Sequence, residues 1–200
     1  MTLSMRTGFS SPVSVAELGI RVDDPIEHLR DCHQKIERSL VIVQNAVAAL
    51  RLTEPVLRAE AAAALDYELA LLRLLENLHT QDEEQSFFPR LRAKLLEDPC
   101  DLQELMLSLE LQHRQEEATF EELTACMRGF LGSPGERSEE RLGELEGLVA
   151  QLAGLCGQHM VLEDERLIAN SRQYLTAADL DEMRQEMRLR FKGQREAGLP

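Results

Sequence analysis

The chain has no tryptophan, and only 2 tyrosines and 6 phenylalanines among its 200 residues. Its interior must therefore be built from aliphatic side chains, and a hydrophobic fraction of 44% supplies enough of them for one sizeable core. Glycine and proline are few and gathered at a handful of places, while Leu, Ala, Glu, Arg and Gln abound, which favours an all-helical protein. Cys32, Cys100, Cys126 and Cys156 show no CxxC spacing and are too sparse for a disulfide framework, so they read as small packing residues. Cys156-Gly-Gln-His159 lacks the second cysteine pair that would complete a zinc knuckle. Basic residues are in the minority, and a formal net charge of −14 argues against nucleic-acid binding. No run of about 18 apolar residues is present, so no membrane span is expected. The stretch MTLSMRTGFSSPVSVAEL lacks the apolar core of a signal peptide, and the expected location is the cytoplasm. HExxH, Gly-rich phosphate loops and hydrolase-like Ser/His/Asp spacings are also missing.

What is present is a repeated histidine pattern. In LLENLHTQDEEQSFFPRL, His79 is followed four residues later by Glu83, which places both on one face of a helix. His159 and Glu163 repeat the pair 80 positions on, and His33 and His113 each lie 46 residues before the histidine of a pair. His33–Glu37 and His113–Glu117 share the four-residue step. With acidic residues at 36 of 200, chance recurrence behind four of five histidines is less than about one in a hundred.

The rest of the chain fits a duplicated helical hairpin. Asp24 is a cap and Pro25 a first helical residue, after which Ile26, Leu29, His33, Ile36, Leu40, Val43, Val47 and Leu50 form a bundle seam. His28 lies off that seam, beside Glu27 and Arg30, and reads as a surface residue. Thr53-Glu-Pro55 opens a second helix with seam Leu65, Leu72, Leu75, His79 and Glu83; Pro89 predicts a kink or fraying shortly after. Pro99 marks the next break. Leu102, Met106, Leu109, His113, Glu116, Phe120, Leu123, Met127 and Phe130 then map onto the first seam, with Glu116 replacing Ile36. Gly132-Ser-Pro-Gly135 is a loop, and a fourth helix from about Ser138 carries Leu145, Leu152, Leu155, His159 and Glu163. Thr176 to Asp179 resembles a capping box opening a short helix to about Phe191, ended by Gly193, whose basic residues read as a solvated face. The expectation is an all-α, antiparallel up-down-up-down four-helix bundle built from a duplicated helical hairpin, with a short C-terminal helix. Residues 1–22 are expected as a flexible tail, 23–194 as the bundle with its C-terminal helix, and 195–200 as a second tail.

A buried carboxylate costs about several kcal/mol unless it is paired, hydrogen-bonded or bound to a cation. The seams offer Glu83 and Glu163 no interior lysine or arginine. His33, His79, Glu83, His113, His159 and Glu163 can instead hold two divalent ions with both carboxylates bridging, leaving coordination positions for dioxygen, nitric oxide, peroxide or water. Ferritin-like sites use Glu-x-x-His, the reverse of the order here. Glu116 is a candidate for accepting a proton beside the vacant positions or for an extra ligand, unless a slip in the helix turns Glu117 inward in its place.

These residues resemble the hemerythrin-like, or HHE cation-binding, family over about residues 23–194. The likeness rests on Asp24-Pro-Ile-Glu-His-Leu-Arg-Asp-Cys-His33, His79-Thr-Gln-Asp-Glu83-Glu-Gln-Ser-Phe-Phe-Pro89, Gln112-His113 and His159-Met-Val-Leu-Glu163-Asp-Glu. The resemblance implies a non-haem di-iron centre with an oxo or hydroxo bridge, His33 and His159 on one iron, His79 and His113 on the other, and Glu83 and Glu163 bridging. Oxygen carriers have a second histidine where this chain has Glu117, and the pattern is closer to the branch with four histidines and two glutamates. That branch includes iron-centre repair proteins of nitrosative and oxidative stress and iron- or oxygen-sensing modules. Two functions follow as alternatives: a di-iron protein that binds or reacts with a diatomic or peroxide ligand, and a sensing module that reports iron occupancy to a protein partner without turnover. A bundle without metal is the third, and the metal itself is left open between iron, manganese and zinc.

Overall fold

Asp24 caps the first helix as its sequence predicts: Oδ1 accepts from the backbone N–H groups of Ile26 at 2.9 Å and Glu27 at 3.2 Å, while Pro25 occupies the first turn. In the computed structural model, residues 18–95, 101–132 and 139–197 are described, and none of these forms a strand. Helix α1 spans Pro25–Ala49 and α2 spans Pro55–Asp82, continued by a π-helical segment Glu83–Phe87 and by α3, Phe88–Leu95. Helix α4 spans Asp101–Gly132 and α5 spans Glu139–Leu162, followed by a second π-helical segment Glu163–Ile168, the short α6 at Ala169–Ser171, and α7 at Ala177–Ala197. Helices α1, α2, α4 and α5 make the bundle, in which α1 packs on α2 and α5, and α5 on α4. The expected breaks at Pro99 and Ser133–Gly135 lie outside the described residues. No described helix is long and apolar enough to cross a membrane.

The aliphatic core is split. One cluster, including Ile36, Leu40, Val43, Leu65, Leu72, Phe120, Leu145 and Leu152, fills the end nearest the α1–α2 turn. A second, including Ile26, Leu29, Phe87, Phe88, Met106, Leu109 and Leu167, fills the other. Between them along every bundle helix stand the histidines and glutamates of the repeat. At about 25 cal/mol per Å² of apolar surface, two such cores supply the driving force that holds a polar layer out of water.

Several sequence expectations change here. Pro89 neither frays nor ends its helix. Just before it the helix widens into the π-helical segment, where Phe88 N–H bonds to Glu83 O, and both Phe87 and Phe88 are buried in the core. Gly193 does not stop α7, which runs to Ala197; an interior glycine costs only about 1 kcal/mol. Leu18 and Val22, placed in the polar tail by the sequence, are buried. The capping box is formed, with Asp179 Oδ2 accepting from Thr176 N–H at 2.8 Å and Thr176 Oγ1 accepting from Asp179 N–H at 3.2 Å.

His28 is the clearest correction, for it is buried at 1% exposure rather than on the surface. Helix α7 covers the α1 and α2 face that a bare four-helix count leaves to solvent, and Phe191 meets His28 edge-on with ring centroids 6.0 Å apart. His28 Nε2 bonds to Asp82 Oδ2 at 2.8 Å, and Arg190 Nε donates to Asp82 Oδ1 at 2.6 Å. The basic residues of α7 are therefore not simply a solvated face. Arg188 Nε donates to Val22 O at 2.7 Å and Arg184 Nε to Asp23 O at 2.8 Å, which pins the segment before α1. His28→Ala is expected to lower unfolding stability by about 1–3 kcal/mol, because a buried Asp82 oxygen loses its partner while Arg190 keeps the other. Denaturant titration beside elemental analysis tests this: the metal content is expected to stay unchanged.

Candidate metal centre

Six side chains from four helices meet in the polar layer: His33 of α1, His79 of α2, Glu83 at the start of the first π-helical segment, His113 of α4, His159 of α5, and Glu163 at the start of the second. Each is at most 7% exposed. Two groups form within them, His33, His79, Glu83 and Glu163 in one, and Glu83, His113 and His159 in the other. His33 Nε2 and His79 Nε2 are 3.0 Å apart. Glu83 Oε1 lies 2.8 Å from His79 Nε2, and Oε2 lies 3.0 Å from His113 Nε2. Glu163 Oε2 lies 3.1 Å from His33 Nε2 and 3.8 Å from His159 Nε2, so both carboxylates stand between the groups.

The resemblance implies His33 with His159 and His79 with His113, whereas the ligand atoms of this structure gather differently. His33 groups with His79 and His113 with His159, in line with the closer packing of α1 on α2 and of α4 on α5 than of α1 on α5. Two of the four His-x-x-x-Glu steps also drop out of the site, since Glu37 and Glu117 are exposed. Glu117 pairs with Arg73 at 2.5 Å, while Glu116 faces inward at 7% exposure, which settles which of the two lies inside. Glu116 Oε1 lies 3.9 Å from His159 Nδ1 but belongs to neither of the two groups.

The fit to metal ions rests on the polar atoms left without partners. Glu83 Oε1 and Oε2, Glu163 Oε1, His113 Nε2 and His159 Nε2 are buried and have no hydrogen-bond partner, a condition that costs about 1–3 kcal/mol per group. Two imidazole nitrogens bound side by side on one ion at about 2.1 Å would be roughly 3.0 Å apart, which is the His33–His79 separation. A bound cation would satisfy nitrogen and carboxylate acceptors that no described lysine or arginine reaches.

The residue after each glutamate orients a histidine from the other hairpin. Glu84 Oε1 bonds to His113 Nδ1 at 2.8 Å, and Asp164 Oδ1 lies 3.2 Å from His33 Nδ1. Carboxylates there fix the ring and direct Nε2 inward. Sequence reasoning missed these two residues, although Glu84 and Asp164 share the 80-residue offset. Burial pushes His33 and His113 down, but Asp164 and Glu163 around His33, and Glu83 and Glu84 around His113, outweigh it and hold each at about 10. Burial, with His33 nearby, lowers His79 to about 3; burial, with His113 nearby, lowers His159 to about 3. Burial and the neighbouring Glu83 raise Glu163 to about 7. Glu84→Gln is expected to weaken binding of a divalent metal by about tenfold or more, measured by competition with a chromophoric chelator.

A pocket of about 420 Å³ opens between α2 and α4, lined in part by Glu76, Thr80, Glu84, His113 and Glu116. Of the neighbouring helix pairs in the bundle these two pack most loosely, and His113 lines the gap. The model of the hemerythrin HHE cation-binding domain matches residues 24–170, well over half of the chain. The chain belongs to the hemerythrin HHE cation-binding family. The family's character as cation-binding accords with the His/Glu groups, which fit a metal site. A comparison with curated proteins finds no match. Within this hemerythrin-like domain both π-helical segments begin at the shared glutamates, Glu83 and Glu163, and such widened turns concentrate at functional sites.

Proposed function

We propose that this hemerythrin-like protein is a cytoplasmic non-haem di-iron protein of the branch with four histidines and two glutamates, and that it binds or reacts with dioxygen, nitric oxide or hydrogen peroxide under oxidative or nitrosative stress. The observation that carries the reading is the buried layer itself, in which four imidazoles and two carboxylates converge with orphaned acceptor atoms and one side opens to a small pocket. His33, His79, Glu83, His113, His159 and Glu163 would hold the ions. When bound, a pair of irons supplies redox-active centres with open positions for a small ligand. The residues themselves do the rest: Glu84 and Asp164 orient rings, the two aliphatic clusters exclude water, and the α2–α4 gap admits small molecules. Elemental analysis with optical spectra of aerobic and anaerobic protein tests this, with two irons per chain and a spectrum that changes on exposure to oxygen or nitric oxide expected. Protein with no bound transition metal, or with spectra indifferent to every such ligand, would overturn it.

The alternative, an iron- or oxygen-sensing module without turnover, is favoured by the same orphaned atoms, because a metal-free layer weakens the bundle and makes folding report occupancy. Metal-dependent binding of a protein partner without consumption of peroxide or nitric oxide would select it.

A further inference from the structure

Two of the places where the 80-residue repeat changes chemical character meet in space. Glu76 stands where the second hairpin has Cys156, and Glu116 stands where the first has Ile36. Glu76 of α2, Glu116 of α4 and Cys156 of α5 each offer a ligand atom within 4.8 Å of the other two. Cys156 Sγ donates to Glu76 Oε1 at 3.5 Å. Cys156 is 2% exposed and Glu116 7%, and Glu116 Oε1 has no hydrogen-bond partner at all. Neither carboxylate has an arginine or lysine partner among the described residues. A symmetric hairpin repeat would have no reason to gather two carboxylates and a thiol here; Glu76 is half-buried, and burying the Glu116 carboxylate beside it is unfavourable without a cation.

We propose that Glu76, Glu116 and Cys156 form a third metal site, distinct from the six-residue layer, that takes a divalent ion of the zinc or ferrous class. Three protein ligands leave one position of a tetrahedral ion open, and a sulfur donor selects against magnesium and calcium. On binding, the thiol proton leaves to solvent as the sulfur–metal bond forms. Glu76 and Glu116 line the same pocket between α2 and α4 as His113, so an ion arriving from solvent reaches this site and the edge of the layer through one opening. Cys156 is thereby a ligand and not the packing residue its sequence context suggests. The assignment does not depend on how many ions the six-residue layer holds.

Anaerobic titration of the metal-free full chain with Co²⁺ alone tests it, because the six-residue layer contains no sulfur and a near-ultraviolet sulfur-to-cobalt charge-transfer band reports only a thiolate site. The wild type is expected to develop this band, Cys156→Ser to abolish it and to bind one cobalt fewer per chain, and Glu116→Gln to shift its midpoint to about tenfold higher cobalt or more. Absence of the band in the wild type overturns the site. So does a band that survives Cys156→Ser, which would place cobalt on another cysteine. If Cys156→Ser loses its helical circular dichroism, Glu116→Gln decides alone, and an unmoved midpoint refutes the proposal. Failure of the dinuclear reading shows separately, as missing sulfur-free equivalents.

Discussion

Glu83→Ala is expected to empty the centre and to abolish most of the difference in melting temperature between metal-loaded and chelated protein. Glu83 is fully buried and is the residue shared by both ligand groups, with one oxygen 2.8 Å from His79 Nε2 and the other 3.0 Å from His113 Nε2. Its loss would therefore remove a donor from each ligand group at once, whereas loss of any histidine would remove one donor from one group. An ion present at about a thousandfold its dissociation constant stabilises the folded state by about 4 kcal/mol. At roughly 2–4 °C per kcal/mol for a domain of this size, the wild-type gap should be on the order of 10 °C or more. In the variant it should shrink to about a degree or two. The chelated variant need not be weaker than chelated wild type, since the substitution also removes a buried carboxylate whose oxygens lack hydrogen-bond partners. Calorimetry with and without chelator, alongside metal analysis, reads both quantities. Retention of two metals with an unchanged spectrum would show that Glu83 is not a shared ligand, and a wild type whose melting ignores chelation would sever metal binding from stability.

The fold and the six converging residues were legible because periodicity and repetition are properties of one chain. Apolar residues at spacings of three and four mark faces, and an 80-residue offset identifies two copies without knowledge of how they pack. The site's details depend on contacts between copies, which no single-helix pattern encodes. His28 looked exposed because its burial comes from α7, through Phe191 and the Asp82–Arg190 pair. The pairing of His33 with His79 follows from which helices are adjacent, and four equivalent seam positions do not reveal that. Glu84 and Asp164 sat in plain view beside Glu83 and Glu163, but a plain α-helix gives no reason to turn consecutive acidic residues toward one centre. The widened π-helical turns starting at those glutamates supply it, with Glu83 and Glu163 fully buried and Glu84 and Asp164 reaching histidines of the opposite hairpin. The Glu76, Glu116 and Cys156 cluster escaped for the opposite reason, since it exists only where the repeat fails.

Affinity for a divalent metal is expected to rise about tenfold per pH unit for each ion between about pH 7 and 9, which amounts to about a hundredfold for the pair. His33 and His113, one in each ligand group, are held at about 10 in the metal-free protein, so each must surrender a proton when its nitrogen binds an ion. His79 and His159, lowered to about 3 by burial, are already neutral and surrender none. Below neutrality the slope should steepen, because Glu163, raised to about 7, is then protonated as well. Stability of the metal-free chain moves the other way over the upper range. His33 and His113 lie above their ordinary 6.5, so their contribution is complete below about pH 6.5 and is lost as pH rises through about 10. His79 and His159 lie below 6.5, and theirs is present above that value and lost as pH falls toward 3. The gap between loaded and chelated melting temperatures should therefore widen steadily from pH 7 to 9. Calorimetric titration in buffers of different ionisation enthalpy should count about one proton released per ion near pH 8. Affinity that is flat across this range, with no proton released, would mean that the carboxylates around His33 and His113 do not hold them as imidazolium, and would remove the orienting role given to Glu84 and Asp164.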